Sequence, residues 1–305
     1  MSEQNRVVVI GDALIDELRD DRGVREFVGG AALNVAVGLA RLGVPTSLIA
    51  MVGDDDDGAH IRAYLDDFGV VLIPSPSPHG TSRAVSVRSG AGEPEYVFNR
   101  AAQARRIRIG DAEREAIAAA PYVVVSCFPF DDVAQTLELA EALRGAAVAI
   151  DPNPRSGMMT DRAEFVRGFE QVVPGAALIK VGDDDAQLLY GVPLDELRAR
   201  LVDLGARAVL ATQGAAGATL ETGDVVVTRP ISVLPGRIID TMGGGDATLA
   251  ASVASLVQGP PAGDDEWAEA LERAMDVAAA TCRFEGALLR LPSALADVDL
   301  ESLGT

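Results

Sequence analysis

Short apolar runs and amphipathic segments alternate along the second half of the chain. The apolar runs fit buried strands, and the segments between them carry apolar residues three and four positions apart, as one face of a helix does. Strands separated by helical segments favour βαβ units and a mostly parallel sheet. The pattern predicts strands at 122–126, 146–150, 177–180 and 208–212, and helices near 111–119, 131–144, 162–171 and 194–204.

The two ends of the chain extend this pattern. Residues 218–222 and 224–229 are predicted to form an antiparallel edge hairpin around Gly223, because a glycine separates two short β-prone runs. The other predicted elements are strands at 7–10, 46–52 and 70–73, and helices at 31–42, 58–68, 243–258 and 265–284.

Four short extended segments interrupt the larger pattern in the first third of the chain. They cover residues 13–18, 24–28, 81–88 and 95–99, and a glycine-rich turn at 89–94 joins the last two. Two β-prone runs on either side of such a turn are typical of a hairpin. We therefore expect a small β layer inserted into a larger α/β body.

The charge of the chain excludes some partners. The 305 residues include 26 Lys and Arg against 46 Asp and Glu, a net charge of −20. Nucleic acid and anionic membranes bind clustered cations, so neither is an expected partner. Cys127 and Cys282 lie in apolar runs, which is typical of buried thiols in a reducing compartment. No apolar run reaches the roughly 18 residues that span a membrane, so we expect a cytoplasmic protein.

The segment with the clearest chemistry is residues 239–250, where three glycines precede Asp246 and a helical run. A glycine turn that opens into a helix leaves backbone N–H groups unpaired and adds the positive end of the helix dipole. An acidic protein can bind an anion there without Lys or Arg. Asp246 would then lie beside that anion, ready to accept a proton from an attacking hydroxyl. The alternative is that Asp246 is a simple helix cap, although a cap requires no triple glycine.

The sequence D-T-M-G-G-G-D at 240–246 resembles the C-terminal signature D-T-x-G-A-G-D of the ribokinase-like (PfkB) carbohydrate kinases. Residues 29–36, 39–43 and 52–58 resemble the N-terminal signature of that family, about 200 residues earlier. The resemblance implies a single α/β domain over 1–305, a Rossmann-type three-layer α/β/α sandwich with a small β-sheet lid. The lid would be formed by about 13–29 and 79–104.

The same resemblance implies roles for individual residues. Asp246 would be the catalytic base, and the amides of Gly243, Gly244 and Gly245 would form an anion hole for the phosphoryl group in transfer. Asp12 has an alternative as a turn residue, Asn34 as a polar position on a helix, and Arg100 as a solvated side chain. The implied sugar-binding residues are Asp12, Asp16, Gly29, Gly30, Asn34 and Arg100.

Residues 151–155 (D-P-N-P-R) resemble the D-P-N-x-R of fructokinases and 2-keto-3-deoxygluconate kinases, which implies substrate contacts for Asn153 and Arg155 near the phosphate path. The alternative is a rigid crossover loop.

Nucleotide and metal positions follow from three further resemblances. Lys180 matches the Lys of the family's K-x-N-x-x-E segment, but Gly182 replaces the Asn and Asp185 replaces the Glu, so the implied magnesium role of Asp185 is altered. Residues 212–217 resemble a T-x-G-x-x-G stretch beside the nucleotide. The implied ATP-binding residues are Lys180, Thr212, Gly214, Gly217 and Thr241. A K⁺ or Na⁺ site is implied by Asp240, Met242 and residues 282–286.

The function that the sequence favours is transfer of a phosphoryl group from MgATP to a sugar hydroxyl, with a fructokinase-like substrate. A nucleoside kinase, a 2-keto-3-deoxygluconate kinase and an inactive sugar-binding relative remain alternatives. A dinucleotide oxidoreductase is disfavoured because the chain lacks G-x-G-x-x-G after the first strand. The acidic run at 54–57 is expected to be a solvated loop rather than a metal cluster. The resemblance also implies a homodimer formed through the lid.

Overall fold

The computed structural model describes residues 6–20, 23–87 and 95–296. The strands are β1 (Val7–Gly11), β2 (Leu14–Asp20), β3 (Gly23–Gly29), β4 (Thr46–Val52), β5 (Val71–Pro76), β6 (Arg83–Val87), β7 (Glu95–Phe98), β8 (Val123–Ser126), β9 (Val148–Asp151), β10 (Leu178–Gly182), β11 (Ala208–Thr212), β12 (Ala218–Thr222) and β13 (Val226–Arg229). The helices are α1 (Ala31–Arg41), α2 (Asp56–Asp67), α3 (Arg100–Gln103), α4 (Asp111–Ala119), α5 (Val133–Ala142), α6 (Arg162–Val172), α7 (Asp183–Asp185), α8 (Leu194–Asp203), α9 (Gly244–Gln258) and α10 (Asp264–Thr281).

Nine of the strands in the described residues form one large sheet, in the order β13-β12-β11-β10-β9-β8-β1-β4-β5. The strands from β5 to β11 in this order pair in parallel, and the edge hairpin of β12 and β13 is antiparallel. The chain passes from β1 outward to β4 and β5, then returns to β8 on the other side of β1. Ligands of open α/β sheets bind outside the carboxyl ends of the strands at such a switch point.

Side chains of the large sheet alternate between two apolar cores. Val7 and Val9 face the core that includes α1, α2, α9 and α10, whereas Val8 and Ile10 face the core that includes α4, α5, α6 and α8. Parallel strands covered on both faces carry nearly continuous apolar runs, which is why the strands were recognisable in the sequence. The three-layer α/β/α sandwich expected from the sequence is confirmed.

The four remaining strands form a second, smaller sheet in the order β3-β2-β6-β7. Arg83 on β6 joins this sheet to the body: its guanidinium pairs with Glu17 at 2.9 Å, Glu26 at 2.8 Å and, on α2, Asp57 at 2.5 Å. The hydrogen bond with Asp57, then that with Glu26, raises the pKa of Arg83. The small β layer expected from the sequence is therefore present, although the predicted turn at 89–94 lies outside the described residues.

Two local predictions need revision. The sequence predicted a strand at 70–73, but β5 covers Val71–Pro76 and therefore continues through Pro74 and Pro76. Because β5 is an edge strand, a proline there removes no ladder hydrogen bond from the middle of the sheet. In the acidic run, Asp55 caps α2 by accepting the Gly58 N–H at 2.8 Å and also accepts the Thr81 N–H at 2.8 Å. The run is thus exposed at Asp54 and Asp56 but structurally engaged at Asp55 and Asp57.

Neither thiol is paired, with Cys127 buried and Cys282 half-buried. Over the described ranges, every helix is too short or too polar to cross a membrane.

Gly11 at the end of β1 is the tightest point where the sheet meets α1. A Cβ added there would lie 1.8 Å from the Ser126 carbonyl oxygen and 2.7 Å from the Ala32 Cβ. We expect Gly11→Ala to lower the free energy of unfolding by about 2–3 kcal/mol, because the backbone must move to relieve the overlap. Chemical denaturation measures the change.

Gly223→Ala is the matched control, since a Cβ at that exposed turn meets nothing within 4 Å. It is expected to change stability by less than about 1 kcal/mol. Equal stabilities of the two variants would contradict the packing argument.

Candidate active site

Asp246 lies in the first turn of α9, above the carboxyl ends of the central strands. Its side chain is buried, with 9% exposed, and Oδ2 accepts a hydrogen bond from the Asn34 Nδ2 of α1 at 2.8 Å. The contact joins two residues 212 positions apart. Both signature segments therefore meet at one carboxylate.

The three glycines before Asp246 bring the start of α9 close to other parts of the chain. Gly243 has φ +76°, and a Cβ there would lie 2.6 Å from the Ala287 Cα. A Cβ on Gly244 would lie 3.1 Å from the Cys282 Sγ, and one on Gly245 would lie 3.2 Å from the Lys180 Nζ. Larger residues would move the helix start or displace these neighbours.

The first helical hydrogen bond of α9 runs from the Ala247 N–H to the Gly243 carbonyl at 2.8 Å. The Gly244 N–H makes a long bond of 3.3 Å to the Thr241 carbonyl. The N–H groups of Gly245 and Asp246 belong to the first turn, where a helix supplies no acceptor of its own. With the helix dipole they make a site for an anion.

A buried lysine lies directly against this helix start. Lys180, 6% exposed, donates from Nζ to the Asp151 Oδ2 at 2.8 Å, and Asp151 is fully buried. Burial alone would lower the pKa of Lys180, but the charges of Asp151 and Asp185 outweigh it and raise the pKa. A cation therefore adds to the helix dipole beside Gly245.

Asp185 also interacts with Lys180 through its charge, but one of its carboxylate oxygens already accepts a hydrogen bond at the start of its own helix. Its Oδ2 accepts the Gly182 N–H at 2.7 Å, as in one half of a capping box. Burial raises the pKa of Asp185 to about 6, and the charge of Lys180 acts in the opposite direction.

Asp12 holds the start of α1. Its Oδ1 accepts the Ala32 N–H at 3.0 Å and its carbonyl accepts the Leu33 N–H at 3.2 Å. Gly30 precedes α1 with φ +105°, and a Cβ there would lie 2.9 Å from the Asp12 carbonyl oxygen. The carboxylate thus stabilises the turn before α1, which is the alternative role predicted for Asp12. Burial raises the pKa of Asp12 and the charge of Arg155 lowers it, so the two side chains interact within the site.

Asp16 packs its carboxylate on Gly29, where a Cβ would lie 2.1 Å from Oδ2. The side chain is half-buried, and protein surrounds the carboxylate closely. Burial raises its pKa to about 7, and the negative charges of Asp12 and Asp246 add to that effect.

The loop after β9 supplies two more predicted residues. Asn153 has φ +40°, a conformation that few side chains adopt and that marks a constrained position. Arg155 is exposed at the cleft, although protein surrounds much of it. Burial would lower the pKa of this guanidinium, but the anionic groups around it, among them Asp246 and Asp12, raise it.

Other predicted residues lie at the edge of this cluster. Thr212 ends β11, and its Oγ1 donates to the Val181 carbonyl at 3.3 Å. The turn from Gly214 to Gly217 follows directly and closes with a bond from Gln213 N–H to the Gly217 carbonyl at 2.8 Å. Thr241 is exposed just before α9.

Asp240 lies close to residues 282–286, as the predicted ion site requires. Its Oδ1 accepts the Met242 N–H at 3.1 Å and its Oδ2 accepts the Gly286 N–H at 3.3 Å. Arg100 begins α3 with an exposed side chain, and no polar contact within the described residues joins it to the Asp246 cluster. The structure thus brings together the first and last signatures but leaves Arg100 outside.

Sequence reasoning did not assign Asp151, although it lies in the D-P-N-P-R loop. Its position at the end of a buried strand was the available signal, since a carboxylate there requires a partner. Arg105 was also missed: it is 8% exposed, and its Nη1 donates to the Met158 carbonyl at 3.3 Å. Its charge lowers the pKa of Asp12, against the larger opposite effect of burial.

Within the described residues, no group of three or more His, Cys, Asp or Glu side chains converges on a metal position. Magnesium in proteins is often held by one or two carboxylates together with ligand phosphates and waters. The carboxylate of Asp185 fits an arrangement with few protein ligands, because one of its oxygens lies outside the capping bond.

Comparison with known proteins finds one matching family and several similar kinases. A profile described as pfkB family carbohydrate kinase matches residues 4–294. A fructokinase of Rhizobium leguminosarum bv. trifolii is 28% identical over 262 residues, which cover 82% of this chain and 79% of the relative. An ATP-dependent 6-phosphofructokinase of Thermoanaerobacterium thermosaccharolyticum is 25% identical, covering 94% of this chain and 90% of the relative.

A solved structure is also similar over nearly its whole length. The aminoimidazole riboside kinase from Salmonella enterica, complexed with aminoimidazole riboside and an ATP analogue, aligns with a TM-score of 0.78 and 27% identity, covering 96% of this chain and 99% of that one.

The raised pKa of Asp16 predicts how stability depends on pH. A carboxyl group with a pKa near 7 in the folded state, and near 3.8 when unfolded, stabilises the fold below about pH 4 and loses that contribution as the pH rises through 7. We expect Asp16→Asn to raise the melting temperature at pH 8 and to leave it nearly unchanged at pH 4. Differential scanning calorimetry at both pH values tests this.

The exposed Asp184→Asn serves as the control, since it removes a carboxylate that lies on the surface. A melting temperature of Asp16→Asn that falls at pH 8 would show that Asp16 is stabilised as an anion, contrary to this prediction.

Proposed function

The chain belongs to the pfkB family of carbohydrate kinases and is a sugar kinase, and on that premise we propose that it transfers the γ-phosphoryl group of ATP to a hydroxyl of a small sugar, with Asp246 as general base. The observation that carries this proposal is the position of Asp246. Its carboxylate lies in the first turn of α9, where the N–H groups of Gly245 and Asp246 form an anion site, and is held by Asn34 at 2.8 Å.

The chemistry requires a base and a charge-stabilising site that act on adjacent atoms. Asp246 takes the proton of the attacking hydroxyl, and the helix start stabilises the oxygens of the phosphoryl group as it moves. Preorganised N–H donors in such a position are typically worth about 3–4 kcal/mol in the transition state. Lys180 adds a cation beside Gly245, where the same oxygens would lie.

The sugar would lie between the carboxyl ends of β1 and β8 and the second sheet. Asp16, Asn34 and Asp12 supply hydroxyl acceptors or donors from one side, with Gly29 and Gly30 permitting close approach. Asn153 and Arg155 complete the cleft from the loop after β9. The second sheet, from about 13–29 and 79–104, would act as the lid that excludes water from this cleft.

ATP would enter from the opposite side of α9, along the turn at 212–217 and Thr241. Asp185 would help to hold magnesium through a water, and the ion would supply neutralisation of the phosphate charge. Asp240 and the carbonyls of 282–286 would hold a K⁺ or Na⁺ ion near the helix start. A fructokinase structure bound to fructose, ADP and potassium, among the chains of similar fold, supports testing that ion.

A fructokinase-like substrate is the first candidate, because a fructokinase is among the relatives. A riboside is the second, since the kinase with 27% identity was solved with aminoimidazole riboside. 2-Keto-3-deoxygluconate and sugar phosphates complete the candidates. Gel filtration and scattering would show whether two chains pair through the second sheet.

Asp246→Asn is expected to fold normally and bind sugar but to lose at least about a hundredfold in kcat, the lower end for a general base. Because burial raises the pKa of Asp246 to about 6 and the base acts ionised, kcat/KM of the natural enzyme should rise with pH through that value. Steady-state kinetics from pH 5 to 8 measures both effects.

Asp265→Asn is the matched control, since Asp265 also lies in the first turn of a long helix but is exposed. It should keep full activity. An Asp246→Asn enzyme with the natural kcat would refute the role of Asp246 as base.

The substrate is identified by ADP release from MgATP in a coupled assay with fructose, ribose, 2-keto-3-deoxygluconate, tagatose 6-phosphate, fructose 6-phosphate and adenosine. Turnover with one compound that disappears in Asp246→Asn would assign the substrate class. Nucleotide binding without turnover on any compound would favour an inactive sugar-binding relative.

A further inference from the structure

Asp151 and Lys180 form a buried ion pair, and the role of Asp151 in the site has not been assigned so far. The two residues lie on neighbouring parallel strands, where Ile150 of β9 pairs with Ile179 of β10. Asp151 and Lys180 follow as the next positions along these strands and point to the face covered by α9. Apart from these two, that face is apolar at Ala149 and Leu178.

Two distances describe the position of the lysine. Its Nζ lies 2.8 Å from the Asp151 Oδ2 and 3.2 Å from the point where a Cβ on Gly245 would lie. An ammonium has three N–H groups. In the part of the chain that the structure describes, Asp151 is the one hydrogen-bond partner of Nζ, so two N–H groups remain for a ligand at the start of α9.

The need to balance the charge of Lys180 does not by itself explain why a carboxylate lies at position 151. Asp185 and Asp246 also act on Lys180 through their charges, and together they would compensate one ammonium. Asp151 differs from them because its Oδ2 accepts the hydrogen bond of Nζ, and because its side chain is fully buried at the end of β9, which leaves the carboxylate little room to move. A lysine has four flexible carbons, and a fixed acceptor restricts where its ammonium can lie.

We propose that Asp151 is a positioning residue that holds the Lys180 ammonium against the start of α9, where it meets the phosphoryl group in transfer. The inference rests on the proposed kinase reaction and on the contact of Lys180 with Gly245. Asp151 acts through Lys180 rather than on the substrate. Its effect on the reaction should therefore disappear when the lysine is absent.

A double-mutant cycle tests this dependence. Asp151→Asn should lower kcat by at least about tenfold, since a displacement of about 1 Å in a positioning group has effects of that size or larger. Lys180→Met should lower kcat at least as much. The double variant should be no slower than Lys180→Met, because Asp151 has no role once the ammonium is gone.

Nucleotide affinity gives a readout that does not depend on turnover. Titration calorimetry with ADP and with a non-hydrolysable ATP analogue should show that Asp151→Asn weakens the analogue several-fold more than ADP, since Lys180 is placed at the terminal phosphoryl group.

Glu113→Gln is the control for loss of a buried carboxylate. Glu113 is 1% exposed and pairs with Arg108 at 3.1 Å, away from the site. This variant should lose stability but keep kcat and both nucleotide affinities. If Asp151→Asn behaves in the same way, Asp151 is only structural and the inference is wrong.

The outcomes separate this inference from the proposed function. Sugar-dependent turnover by the natural enzyme with independent, multiplicative effects of Asp151→Asn and Lys180→Met would leave the kinase reaction standing and refute the positioning role. Absence of turnover with every acceptor would count against the proposed function. The calorimetric difference between ATP analogue and ADP would then still decide whether Asp151 positions Lys180: a preferential loss of analogue affinity supports it, and equal losses overturn it.

Discussion

The start of α9 packs against the buried ammonium of Lys180, and the rest of the site depends on that contact. Lys180 projects from a strand on which Leu178, the other side chain of that face, is apolar, so its ammonium has little access to bulk water. A buried ammonium is stable only with a close counter-charge, which Asp151 provides at 2.8 Å. Gly245 leaves room for the ammonium, because a Cβ there would lie 3.2 Å from Nζ and would crowd it.

The acidity of the chain, with a net charge of −20, makes this arrangement necessary. A polyanionic ligand approaches a protein whose overall field repels it, so the attraction must be local. Backbone N–H groups, the dipole of α9 and one buried cation provide such a field within a few ångströms. The carboxylate of Asp16 lies nearby, and burial raises its pKa to about 7, which reduces its negative charge near neutral pH. Asp246, with a pKa raised to about 6, stays mostly ionised there and can act as the base.

The sequence predicted the large sheet well because its strands are covered on both faces and are therefore continuous in apolar residues. It predicted less where tertiary contacts decide the outcome. The predicted strand at 70–73 stops before Pro74, but the observed strand continues through Pro74 and Pro76 because it lies at the sheet edge. The ion pairs of Arg83 with Glu17 and Asp57 join segments 66 and 26 residues apart, and periodicity carries no information about such partners.

The site was predictable where a motif and a local geometry coincide, as at Gly243 and Asp246, and less so where partners come from separate strands. Asp151 and Lys180 are 29 residues apart, and only the parallel register of β9 and β10 brings them together.

At Gly182 the chain departs from the family's K-x-N-x-x-E segment, and this departure affects how Asp185 is held. As the residue before α7, Gly182 has no side chain to cap the helix, and Asp185 bonds back to its N–H at 2.7 Å instead. A Cβ at position 182 would lie 3.3 Å from the Thr212 Oγ1 and 3.7 Å from the Asp185 Oδ2, so a larger side chain would compete for the same space. One oxygen of Asp185 is thereby engaged with the backbone. Its charge stays beside Lys180 while its reach toward a metal ion is limited to the other oxygen, which favours contact through water over direct coordination.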